Sequence, residues 1–182
     1  MANLITKATL VTVCGLNSLV EDRKVDHNID EAQLRFERVL GVTLYAALKA
    51  AFDADNTLAG STNERWRNLM TRGKGYGEDL LCWTTMMLAL PGLHSEPDRG
   101  GVYEKTGEDY RSVGSTTLSM HIANARDRME HRMEMCLLYL ENNANTYPEF
   151  ATTATGEQRI DKAPAGGGFI FSPSVKTENY RG

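Results

Sequence analysis

The stretch TTLSMHIANARDRMEHRMEMCLLYLENNAN, residues 116–145, sets Leu118, Ile122, Ala125, Met129, Met133, Cys136 and Leu140 at gaps of four and three for six consecutive steps. That period belongs to an amphipathic helix and to no strand, so the spacing predicts a helix of about 25 to 30 residues, about 40 Å long. At about 100° per residue, Asp127, Glu130, Glu134 and Glu141 fall on a second stripe, and Met120, Met135 and Leu138 on a third. The helix therefore offers a core face, an acidic face and a spare apolar face. Pro148 is expected to end it.

Outward from this segment, the rest of the chain reads as mainly α. LLCWTTMMLAL, starting at Leu80 and bounded by Pro91, is apolar nearly all round, as befits the middle helix of a bundle. IDEAQLRFERVL puts Ile29, Ala32, Phe36, Val39 and Leu40 on one helical stripe, with Asn28 as its expected N-cap. After Gly41, Leu44, Tyr45, Leu48, Ala51 and Phe52 resume the pattern, so residues 28–52 form one kinked helix or two shorter ones. Residues 53–60 read as a polar loop, and Ser61 with Glu64 as a capping box opening a short helix at Trp66, Leu69 and Met70. Residues 1–25 stay open: the β-branched run favours a strand, while Thr6 and Gly15 are spaced to cap a helix. Two Tyr- and Val-bearing runs around KTGED predict a protruding β-hairpin near residues 101–111. The fold expected is a bundle of four to five helices over 1–150, with an extended C-terminal arm over 151–182.

Composition narrows the function. Among 182 residues the formal charge is −4, which disfavours a surface dedicated to nucleic acid. Cys14, Cys82 and Cys136 lack paired spacing and read as buried thiols. No run reaches the ~18 apolar residues of a membrane span, so no membrane partner is expected. RGKGYG fails as a phosphate loop, because Asn68 stands where the first glycine belongs and Gly75 where a hydroxyl residue belongs; it reads as a hinge before the buried helix. His27, His94, His121 and His131 share no ligand spacing, and the acidic stripe lies away from the core, where no burial would tune a catalytic pair. We therefore expect no catalysis, no cofactor and no metal.

Four segments carry a resemblance: LIT at 4–6, IDEAQLRFERVLGVTLYAAL at 29–48, GVY at 101–103 and YLENNANTYPEF at 139–150. In this order they resemble the head-to-tail connector (adaptor, or neck) proteins of tailed bacteriophages, particularly connector-like proteins of phages infecting Bacteroidetes. The likeness spans roughly residues 4–150. It implies a helical subunit made in the bacterial cytoplasm and built into the virion neck as a ring, commonly of twelve copies. Such a ring lies between the portal protein and the tail or nozzle protein and extends a channel through which DNA passes as cargo.

A ring subunit must cover its flanks with identical neighbours. The acidic stripe and the Met120, Met135, Leu138 face would then meet the next copy, through a cluster of Arg65, Arg67, Arg72 and Lys74, or line the channel. In the arm, Phe169, Ile170, Phe171 and Val175 follow a run of three glycines. They either dock on the portal or a neighbouring subunit or fold back as a cap. The alternative is a small intracellular nucleic-acid-binding or packaging factor of phage origin, with Arg65 and Arg67 around Trp66 tracking a backbone.

Overall fold

Seven α-helices make up the described body of the computed structural model, which covers residues 3–95, 103–106, 109–112 and 115–153. They are α1 (Lys7–Cys14), α2 (Arg23–Leu40), α3 (Val42–Ala54), α4 (Glu64–Met70), α5 (Gly77–Ser95), α6 (Ser115–Asn142) and α7 (Pro148–Thr153). Between α5 and α6, Tyr103–Thr106 (β1) and Asp109–Ser112 (β2) pair antiparallel, with Tyr103 opposite Ser112 and Thr106 opposite Asp109.

The N-terminal segment takes the helical alternative. Thr6 Oγ1 accepts from Thr9 N–H and Thr9 Oγ1 accepts from Thr6 N–H, a reciprocal cap, and Gly15 closes α1 in the left-handed region at φ 71°. Ahead of it, Leu4 and Ile5 are buried, and the side chain of Gln33 pins this entry segment by accepting from Leu4 N–H at 2.9 Å and donating to Asn3 Oδ1 at 2.9 Å. The LIT triplet is thus two core anchors and a cap.

α2 begins six residues before the expected start, with Asp22 and not Asn28 at its N-cap. Asn28 lies inside the helix, its Nδ2 donating to the Lys24 carbonyl, because Val25 extends the buried face of Ile29, Ala32, Phe36 and Leu40 by one turn. Gly41 then separates two helices, and the Phe36 and Tyr45 rings meet edge to face at 6.4 Å across the joint. The expected capping box at Ser61 and Glu64 does not form. Residues Ser61–Asn63 take a 3₁₀ turn, and Asn63, at the N-cap of α4, sends its Nδ2 to Asp55 instead.

α5 is the centre, packed against α6, α2, α1 and α4. Leu80, Leu81, Cys82, Met86, Ala89 and Leu90 are buried on several sides of it. Its two buried hydroxyls, Thr84 and Thr85, donate to the carbonyls of Leu80 and Leu81, so neither is left without a partner in the core. Pro91 does not bound this helix. The chain remains helical to Ser95, because the one ladder bond a proline removes is offset by Leu93, which is buried beyond it.

α6 follows its predicted stripe: Ala125, Met133, Cys136 and Leu140 are buried, and Leu118, Ile122 and Met129 pack against the core edge. It ends at Asn142, ahead of Pro148. That proline opens α7 at its first position, where its missing N–H costs nothing. α7 packs on α3 and runs to Thr153, three residues into the segment expected to be extended. The remainder of that arm, with Phe169, Ile170, Phe171 and Val175, lies outside the described residues.

Candidate assembly surface

The 28 residues of α6 give one flank to the core and leave the other bare. Asp127, Glu134 and Glu141 are exposed and Glu130 is half-buried. On the same side Met120 is 62% and Leu138 50% exposed, while Met135 is partly covered. Met120 and Leu138 are 18 positions apart, five whole turns at 3.6 residues, so they share an azimuth about 27 Å apart along the axis. Asp127 and Glu134 lie within about 40° of that line. The two stripes separated in the sequence are one continuous flank of acids with apolar residues among them. None of its four carboxylates makes an ion pair or hydrogen bond among the described residues.

The expected basic cluster is spread over local duties. Arg65 grips Glu149 through both terminal nitrogens, at 3.0 and 3.3 Å, donates to the Thr146 carbonyl, and stacks on Trp66 at 4.0 Å. Arg67 donates to the Ala59 carbonyl and Lys74 to Asn68 Oδ1. All three make these contacts within the chain, Arg65 and Arg67 to loop carbonyls and Lys74 to a side-chain amide. Arg72 differs: 70% exposed, it places Nε 3.3 Å from Oδ2 of Asp79.

Arg132, which the sequence reading did not single out, converges on the same oxygen, also at 3.3 Å, with its guanidinium 4.9 Å from the centre of the Tyr76 ring. One turn earlier Arg128 lies over Trp83 at 4.6 Å. A signal did exist. Arg128 and Arg132 sit four apart at the edge of the core stripe, beside the adjacent helix, where Arg132 is half-buried and Arg128 stays exposed. Asp79 is 3% exposed, and its Oδ2 has no hydrogen bond among the described residues, for the two N–H vectors miss it. Beside it, burial first and Asp79 second push the Glu78 carboxyl above its ordinary range.

The segment that delivers Asp79 is tightly built. Tyr76 has φ 57°, and a Cβ on Gly75 would lie 2.2 Å from the Leu69 carbonyl oxygen. Only glycine lets the two backbones approach so closely. RGKGYG is therefore a structural turn that sets α5 against α4.

At the far end of α6, Tyr147 is fully buried and donates to the Arg65 carbonyl at 2.6 Å, beside Trp66 and Tyr139. Burial and then the Tyr139 hydroxyl raise its phenol well above the usual range, so it stays a donor. YLENNANTYPEF thus supplies a buried anchor and, through Glu149, the ion pair that locks α7 over α4.

Among the described residues, no other chemistry converges. Burial pushes Cys136 up to about 12, and a hydrogen bond with Cys14 followed by burial raises Cys82, which suppresses thiolate character at both. An open groove of about 890 Å³ between α1, α2 and the end of α3 is floored by Val11, Ile29 and Phe52 and edged by the Lys7–Asp22 ion pair. Among the described residues, no group of three His, Cys, Asp or Glu side chains is placed to hold a metal ion, and no helix is long and apolar enough to cross a membrane.

No curated protein and no solved structure matches the chain. Residues 36–160, from Phe36 in α2 past the end of α7, match the family described as "Family of unknown function (DUF6712)". Since that match covers more than half of its length, the chain belongs to this family.

Proposed function

We propose that this protein is a head-to-tail adaptor of a tailed phage: a non-enzymatic subunit whose copies form a ring between portal and tail. The observation that carries the reading is the bare flank of α6, where unpaired carboxylates alternate with exposed Met120 and Leu138 over most of the helix. A lone subunit gains nothing by leaving such apolar groups in water. A neighbour can cover them, and a mixed apolar and charged patch is the usual make-up of a subunit contact.

The resemblance of residues 4–150 to neck proteins supplies the setting. Acids not consumed at the contact face the channel, where like charge keeps passing DNA off the wall. The arm beyond α7 reaches the portal, with Phe169 and Phe171 entering pockets and Ile170 and Val175 adding apolar area. Neither cofactor nor catalysis enters.

Quantitative mass spectrometry of purified phage particles tests this. The account expects the chain in mature virions at a small fixed ratio to the portal protein. Its absence from particles, with abundance only in infected-cell lysate, overturns it.

A further inference from the structure

We infer that Arg72 and Arg132, gathered on the buried carboxylate of Asp79, form the receptor that takes the acidic flank of α6 from the next copy of this chain. The inference rests on the ring reading and assigns its contact.

Two guanidinium groups share one carboxylate here. Asp79 Oδ2 is withdrawn from water, stands 3.3 Å from both Nε atoms, and accepts a hydrogen bond from neither. It therefore gathers the two cations without saturating them. Of the charges around this end of α5, Arg72, Lys74, Arg128 and Arg132 stand against Glu78 and Asp79, an excess of two positive charges. Lys74 is bound by an uncharged amide and Arg128 by an aromatic face, so neither is neutralised by an acid there. Arg72, mostly in solvent, is the open edge of the site. A guanidinium held in place by one carboxylate is pre-ordered for a second, which it can take through two parallel N–H donors.

The occupant follows from the placement on α6. Arg132 lies about 140 to 180° around the helix from Asp127, Glu130, Glu134 and Glu141. A single subunit cannot bring these two sides together, yet an identical subunit set beside it brings acid onto base. Such a contact is heterologous, the kind that repeats head to tail and closes into a ring when the rotation per step divides the circle. Met120 and Leu138 on the acidic side give the contact its apolar part, and the charge pattern fixes its register.

Sedimentation velocity on the full chain reads the result. Self-association is expected at about 50 mM salt, weakening as salt is raised through about 500 mM, where screening acts within a few Å. Arg72→Glu weakens association by at least about tenfold, since it sets like charges against each other. The pair Glu130→Lys with Glu134→Lys has the same effect. An equimolar mixture of the two variants regains association, because the acidic flank of one meets the intact arginines of the other. Arg72→Gln, a milder change at an exposed position, weakens association less than the reversal and keeps the wild-type circular dichroism spectrum and melting temperature. Wild-type association unchanged in Arg72→Glu overturns the receptor while leaving a ring built on other contacts. A wild-type chain monomeric at every concentration and salt also overturns it, and the ring reading then stands or falls on the particle composition.

Discussion

Asp55 organises the turn after α3 almost unaided. One carboxylate oxygen accepts from the Thr57 hydroxyl at 2.6 Å and its backbone N–H at 3.1 Å, and the other from Gly60 N–H and Asn63 Nδ2. These donors, the Thr57 hydroxyl foremost, hold the carboxyl down at about 2 although it is open to solvent. Its folded value lies below its free value, so its contribution to stability is present above about pH 4 and is lost as pH falls through about 2. Carbon-detected NMR titration of the Asp55 carboxyl should place its midpoint near 2; a midpoint near the ordinary 3.8 means the turn is not held this way. Tyr147 is the second residue on which a whole feature depends. Replacing it with Phe keeps the ring against Trp66 and removes only the hydroxyl bonded to Arg65. We expect a loss of about 1–2 kcal/mol in denaturant unfolding, and an unchanged midpoint contradicts the anchor role.

At the scale of elements, the central position of α5 implies that its buried leucines carry much of the stability. Leu81, with no exposure, should cost about 2–5 kcal/mol on replacement by Ala, read as a shift in urea midpoint at constant slope. A cost below 1 kcal/mol would show that α5 is a peripheral helix. The elements legible in the sequence were those written as a period: the α6 stripe, the α2 and α3 faces, and the all-round apolar α5. What escaped were boundaries set by tertiary competition. Pro91 sits inside α5 because Leu93 still has core to reach, and Pro148 starts a helix because α3 offers α7 a surface. Asn28 and Ser61 have capping chemistry, but Val25 prolongs one helix past Asn28, and Asp55 claims the side chain of Asn63 beside the other. The basic residues were misplaced for a related reason. Sequence proximity grouped Arg65, Arg67, Arg72 and Lys74, whereas folding sends Arg65 to Glu149 and joins Arg72 to Arg132 on Asp79. No local pattern encodes a site made by two segments that meet only when α5 and α6 pack.

At the scale of the whole molecule, α6 has two unlike faces. The inner face of α6 completes a core that also needs α5, and its outer flank carries exposed Met120 and Leu138 among acids without partners among the described residues. The DUF6712 match over residues 36–160 takes in all of α6 and the first turn of α5, which bears Asp79. The separation also predicts that charge changes on the outer flank alter assembly and leave the fold intact, since exposed charges without partners add little to stability. The central claim is that this flank is a contact between copies in a neck ring. Cryo-electron microscopy of the intact particle measures it most directly. The account predicts a closed ring below the portal in which the acidic flank of α6 from each copy lies against Arg72 and Arg132 of the next. A ring in which Met120, Glu134 and Leu138 all face solvent, or a neck that lacks this chain, contradicts it.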